Sequence, residues 1–213
     1  MSNVTQHPQG VKSRSGRHTR DALLDAATRL MHLQGYQATS LDDVLRESGV
    51  GKGNFYYHFK SKEDLGYVIL DQIIDAFLGR TLEPCFSDPS MLRLVQIRCF
   101  LARVLEAQRE RNCVGGCPLG NLASELSDVH EGFRARLFGV FSAWRERLTR
   151  ALGEAQALGH VRPDCRPEAV AQFLVAGLEG AILMTKLTKD ITVMERCVEE
   201  LARYLTLYEP ATP

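Results

Sequence analysis

The stretch that decides the fold is Ser48-Gly49-Val50-Gly51-Lys52-Gly53-Asn54-Phe55-Tyr56-Tyr57-His58-Phe59-Lys60-Ser61-Lys62-Glu63-Asp64-Leu65. Gly49 can take the positive φ that a tight reversal between two helices needs. Val50 is the apolar residue placed to pin that turn to a core. Just upstream, Thr39-Ser40-Leu41-Asp42-Asp43 is a helix start, with Ser40 and Asp43 spaced as a capping box. The helix it opens, Leu41 to Glu47, buries Leu41, Val44 and Leu45. Past the turn, about Lys52 to Phe59 reads as a third helix. Phe55 and Phe59 lie four apart, share a face and are expected inside. Two short helices joined by a tight glycine-containing turn form a helix-turn-helix. Many helical hairpins share that pattern, so the chemistry of the segment must decide.

That chemistry points to DNA. Lys52 and Asn54 stand at the start of the second helix of the motif, where side chains reach base edges. Tyr56, His58, Lys60 and Lys62 can donate to phosphates. Ser61-Lys62-Glu63-Asp64 is another capping box, and the helix it opens presents free N–H groups to an anion. Packing is the alternative for Tyr57 and His58, and solvation is the alternative for Lys60. Charge agrees with the DNA reading. The whole chain carries a net charge of +0, yet up to Lys62 nine Lys/Arg face five Asp/Glu. A basic head on an acidic body suits a small DNA reader joined to a larger regulatory part.

Working outward, residues 1–18 are polar and cationic and read as a flexible basic arm, in which Arg14 and Arg17, with Arg20 beyond, are possible extra contacts. From Thr19, Ala22, Leu23, Ala26, Ala27, Leu30 and Leu33 recur at helical spacing until Gly35. The fourth helix runs from Ser61 to about Leu82 and joins the two parts of the chain. Further helices are expected at about 90–108, 119–127, 131–159, 167–187 and 192–208. No strand pattern and no repeat is visible. About nine helices without a sheet make an all-α fold. The expected domains are 19–64 for DNA and 65–213 for ligand binding and dimerisation. No apolar run approaches the roughly 18–20 residues that span a bilayer, and the N-terminus lacks an apolar signal core. The expectation is a cytoplasmic protein with no membrane partner. Its six cysteines are expected to be free thiols.

The run from Gly35 to Val44, followed by Gly49 to Leu65, resembles the DNA-binding signature of the tetracycline-repressor (TetR) family. The resemblance covers roughly residues 19–68. It implies three N-terminal helices for DNA, a linking fourth helix, and a larger C-terminal domain that binds an effector and forms a homodimer on operator double-stranded DNA. By motif position, Lys52 and Asn54 read bases. Thr39, Tyr56, His58 and Lys62 hold the sugar-phosphate backbone, with a partly structural alternative for His58. The function implied is a repressor released from a near-palindromic operator by a small molecule or an electrophile. An activator of the same fold is the alternative.

Two features of the C-terminal part stand out. Met194, Cys197, Val198, Leu201, Leu205 and Tyr208 form an apolar stripe, and Ala176, Gly177, Gly180 and Ala181 form a small-residue face. Such stripes commonly lie in a monomer core. The family resemblance instead assigns these two helices to an intersubunit bundle. Asn112-Cys113-Val114-Gly115-Gly116-Cys117-Pro118 places Pro118 at a first helical position and Cys117 at the N-cap, where the helix dipole is expected to favour a thiolate. The stretch resembles a TetR subgroup of electrophile- and oxidant-sensing repressors, which implies Cys117 as sensor and Cys113 as a resolving thiol. A buried small hydrophobe is the other reading of Cys117. Metal spacing is poor, and neither a metal nor a cofactor is expected. A non-covalent effector would sit between the middle helices, with Phe100, Val104, Phe141, Trp144 and Met184 as candidate lining. A thiol enzyme using Cys117, with His130 the only nearby base, is the rival class. No catalytic triad or phosphate loop supports it, so the chain is read as a non-enzyme.

Overall fold

A computed structural model describes residues 14–210. The expected arm falls mostly on residues 1–13, outside the described residues. Its remaining positions are helical, because α1 (Arg14–Gln34) begins ahead of the expected Thr19. Then come α2 (Leu41–Ser48), α3 (Lys52–His58), α4 (Lys62–Phe77), α5 (Arg93–Glu110), α6 (Pro118–Leu126), α7 (Glu131–Ala157), α8 (Pro167–Thr188) and α9 (Ile191–Thr206). Nine α-helices and no strand occur among the described residues, the all-α architecture that the sequence implies.

The chain forms two compact units, divided between Ile69 and Leu70. In the N-terminal unit, α1 packs on α2 and α3. Leu23, Ala27, Val44, Phe55 and Leu65 are fully buried there. Local chemistry sets each helix end. Ser40 Oγ accepts from Asp43 N at 3.1 Å, and Asp43 Oδ2 accepts from Ser40 N at 3.0 Å, which completes the capping box. Gly49 ends α2 with φ +68°. Ser61 Oγ accepts from Asp64 N at 3.1 Å at the start of α4.

The fourth helix departs from its expected course. Regular α-geometry stops at Phe77, and residues Leu78–Leu82 continue as a wider π turn. A π turn rotates the following side chains relative to a continuing α-helix. Leu82 ends up buried, and Arg103 Nη1 donates to the Arg80 carbonyl at 2.9 Å.

The C-terminal unit is built on α7 against α8, α8 against α9, and α5 against α7 and α9. Trp144 is its aromatic centre, with ring centroids 5.2 Å from Phe77, 5.5 Å from Phe100 and 5.8 Å from Phe141. Helix α8 is long and apolar enough, by length and composition, to cross a membrane, contrary to the expectation that no run approaches this. Here Val170, Leu174, Leu178 and Ile182 bury that apolar character in the helical core.

The stripe on α9 is core as well. Met194, Val198, Leu201 and Leu205 are buried within the unit. The outward apolar face lies on α8 instead, at Phe173, Leu183, Met184 and Leu187, the last 74% exposed. The α8–α9 approach explains the small residue at 177. A Cβ on Gly177 would lie 2.8 Å from Leu201 Cδ2.

Candidate nucleic-acid interface and effector cavity

Helix α3 is anchored by one edge and open on the other. Phe55 and Phe59 are buried and pack on each other at 5.7 Å between centroids, with the Arg20 guanidinium 5.5 Å from the Phe59 ring. Burying those two positions turns the rest of the helix outward. Lys52, Gly53 and Asn54 are exposed, as are Tyr56 at 53% and Tyr57 at 77%. A Cβ at Gly51 or Gly53 would meet nothing within 4 Å among the described residues, so these positions are open. His58 is half-buried between the rings of Tyr57 and Phe59. Lys60 is exposed. The sequence alone leaves Tyr57 open to packing, whereas the structure exposes it. Its position between Phe55 and Phe59, off their shared face, was the available signal.

Two expected backbone contacts are differently placed. Thr39 is fully buried, its hydroxyl donating to the Gly35 carbonyl at 2.7 Å and accepting from Gln34 Nε2 at 3.2 Å. Lys62 Nζ donates to the carbonyls of Tyr36 at 2.8 Å and Thr39 at 2.7 Å, and lies 4.4 Å from the Tyr36 ring centroid. These groups fasten the α1–α2 connection to the start of α4. For Lys62 the linear signature could not reveal this, because its acceptors are main-chain carbonyls more than twenty residues away.

In the C-terminal unit, two neighbouring cavities share Cys117, Glu179 and Ile182. One, of about 320 Å³, also meets Asn121, Phe141 and Lys186. The other, of about 410 Å³, is walled by Ile73, Phe77, Val104, Leu119 and Trp144, with Gln108 and Arg111 also on its lining. The candidate lining residues therefore divide. Val104, Trp144 and Phe141 reach a cavity. Phe100 does not, because it is fully buried in the aromatic cluster with Phe77, Phe86 and Trp144. Met184 does not either. It is 48% exposed, since Ala181, Ile182 and Thr185 take the inward face of α8.

Cys117 is the N-cap of α6, with Pro118 in the first turn and Sγ accepting from Gly120 N at 3.3 Å. The expected lowering of its pKa does not follow. Burial pushes the thiol up, and the neighbouring Glu179 carboxylate adds to the shift, outweighing the N–H groups of the helix start. Burial also holds the Glu179 carboxyl above its ordinary range. Cys113 is buried at φ +59°, in a run where Asn112, Gly115 and Gly116 also have positive φ. Gly116 makes room for Lys186, whose Cδ would lie 2.9 Å from a Cβ at that position. Lys186 Nζ in turn donates to Asn121 Oδ1 at 3.1 Å. No group of three His, Cys, Asp or Glu able to hold a metal ion occurs among the described residues.

Comparisons with known proteins agree with this division into a reading head and a cavity-bearing body. Residues 23–65 match the family of bacterial regulatory proteins of the tetR type. Residues 94–201 match the tetracyclin repressor-like C-terminal domain. The transcriptional regulator AcuR of Cereibacter sphaeroides is 33% identical over 84% of this chain and 81% of its own. The repressor DhaR of a Mycobacterium species is 30% identical over 88% and 89%. The repressor NemR of Escherichia coli K12 is 26% identical over 84% and 90%. A solved TetR regulatory protein from Rhodobacter sphaeroides superposes with a TM-score of 0.78 at 31% identity, covering 87% of this chain and 98% of that one. These relatives are regulators, not enzymes, and the resemblance to the subgroup of cysteine-sensing repressors fits the likeness to NemR. The chain belongs to the TetR family of DNA-binding transcriptional regulators.

Proposed function

We propose that this regulator is a repressor. It binds a near-palindromic operator as a homodimer and leaves it when a small molecule occupies the cavity beside Trp144. The observation that carries the DNA half is the face of α3. Lys52, Asn54, Tyr56 and Tyr57 stand outward together while Phe55 and Phe59 fix the helix from behind. Lys52 and Asn54 sit where base edges are read, and Tyr56 and Lys60 where phosphates are held. His58 serves mainly as a packed support. Thr39 and Lys62 act by holding the connection that positions the motif.

Dimerisation through α8 is supported by its outward apolar residues Leu183, Met184 and Leu187. A two-fold dimer presents two copies of α3 to a two-fold symmetric site. Release follows if the effector binds more tightly to a state whose reading helices no longer match the operator. The regulator acts in the cytoplasm, where its operator is.

A second reading of the trigger is modification of Cys117, favoured by that thiol lining both cavities. A reactive carbonyl or quinone entering either space meets the sulfur. The raised pKa makes this route slow for reagents that need a ready-made thiolate.

Electrophoretic mobility shift on the gene's own upstream intergenic region tests the proposal. Wild type should retard one fragment and the double variant Lys52→Ala/Asn54→Ala should not. Equal retardation of every fragment by both proteins would overturn it.

A further inference from the structure

The cavity beside Trp144 holds more unpaired polarity than an apolar core tolerates. Three buried side-chain atoms on its lining have no hydrogen-bond partner among the described residues: Trp144 Nε1, Gln108 Oε1 and Glu179 Oε1. Trp144 and Gln108 are each 2% exposed. Burying such groups unpaired is costly, and native structures pair nearly all of them. Here they border one space of about 410 Å³ whose other walls include Ile73, Phe77, Val104 and Leu119. An apolar chamber with a few polar atoms turned to it is the form of a small-molecule site.

We propose that this cavity takes an uncharged molecule joining an apolar body to a head with two hydrogen-bond donors and one acceptor, as in a primary carboxamide. The inference rests on the reading of this cavity as the effector site and names the ligand's chemistry. The indole N–H is a donor only and requires an acceptor on the ligand. Gln108 Oε1 and Glu179 Oε1 are acceptors and require two donors. A carboxamide has one carbonyl oxygen and two N–H bonds, which matches the set.

The charges around the cavity argue for a neutral head. Arg80, Glu110, Arg111 and Glu179 are the charged side chains on the lining. Two arginines oppose an organic cation. An anion would face Glu179 and the Gln108 oxygen and satisfy neither. The two arginines, Arg80 and Arg111, balance the two carboxylates, Glu110 and Glu179, so a neutral ligand leaves the chamber without net charge.

Trp144 is the chain's single tryptophan, so the emission of the full-length protein reports this cavity directly. The test titrates it with benzamide, N,N-dimethylbenzamide, benzoate and benzylammonium. Benzamide should shift or quench the emission saturably, and the other three should bind at least ten-fold more weakly. Gln108→Leu should cost benzamide about ten-fold and leave dimethylbenzamide unchanged, with thermal melting reporting the fold. Glu179→Gln, which keeps an acceptor, should retain benzamide if the leucine variant does not fold. Four equal affinities, or no saturable change with benzamide, overturn the proposal. Operator release is read in parallel. Selective benzamide binding without release keeps the ligand chemistry and removes the effector reading. Release by benzylammonium without benzamide binding removes the ligand chemistry and keeps the effector reading.

Discussion

Lys62 donates from Nζ to the carbonyl oxygen of Thr39 at 2.7 Å, while the Thr39 side chain is fully buried. A cation therefore secures the main chain at the mouth of the helix-turn-helix, and its second bond reaches the Tyr36 carbonyl at 2.8 Å.

Lys62→Met should remove both bonds and leave two carbonyls to be satisfied elsewhere. Hydrogen bonds from charged groups contribute roughly 1.5–3 kcal/mol each, less where water reaches them. The expected loss is about 2 kcal/mol, read by urea unfolding. Lys60→Ala, at an exposed position, should leave stability unchanged. It should instead weaken DNA binding and lower the slope of log affinity against log salt by about 1. Equal stability of the Lys62→Met variant and wild type would refute the structural role.

The two kinds of DNA contact should separate by substitution. Tyr56→Phe removes the hydroxyl proposed to hold phosphate and should weaken binding to all sequences alike. Asn54→Ala should cost about 1–3 kcal/mol of base discrimination and relax operator choice. A selection experiment with randomised sites decides this, and an unchanged preferred site with Asn54→Ala contradicts the base-reading role.

Phe100 and Met184 were expected to serve one pocket, and the structure gives them opposite settings. Phe100→Ala removes a fully buried ring and should destabilise the protein by about 3–5 kcal/mol. Met184→Glu with Leu187→Glu charges the outward face of α8 and should leave the subunit folded but monomeric in sedimentation. A dimer that survives both changes would place the intersubunit contact elsewhere.

Acid should loosen the start of α2. Hydrogen bonds from the Ser40 side chain and backbone, with a smaller contribution from Arg46, hold the Asp43 pKa at about 2 against its ordinary 3.8. A depressed carboxylate contributes stability above its unfolded pKa and loses it as pH falls toward the folded value. The contribution is thus present above pH 3.8 and lost between there and about pH 2. Carboxyl chemical shifts followed by NMR should show Asp43 titrating late in wild type and at a higher pH in Ser40→Ala, which loses the side-chain bond and keeps the backbone one.

Cys85 and Cys99 offer a redox prediction. Their sulfurs lie 2.9 Å apart, Cys85 is buried and Cys99 partly exposed. A hydroperoxide should oxidise Cys99 to the sulfenic acid, releasing an alcohol or water. The Cys85 sulfur then displaces water to form a disulfide. Non-reducing peptide mapping after peroxide treatment should find that linkage. Its absence, with both thiols still alkylated by iodoacetamide, contradicts the expectation.

Much of this architecture was legible in the chain. The Ser40–Asp43 box, Gly49 at the turn and the Phe55–Phe59 spacing are local signals, and local signals set helix ends and buried faces. The site was less legible, for two physical reasons. Lys62 looks like a surface cation until the distant carbonyls of Tyr36 and Thr39 are brought beside it, and Thr39 looks like a surface hydroxyl until the fold buries it on the Gly35 carbonyl. Cys117 has the local grammar of an activated thiol, but burial and Glu179, more than sixty residues away, reverse its electrostatics. The α9 stripe shows the same limit from the other side, since periodicity identifies a buried face without saying what buries it.

The proposed function stands or falls on α3 reading an operator. The most direct measurement is a footprint of wild-type protein on its own upstream intergenic region, repeated with Lys52→Ala/Asn54→Ala at matched folded concentration. Wild type should protect one near-palindromic site, and the double variant should not. An identical footprint from both proteins would contradict it.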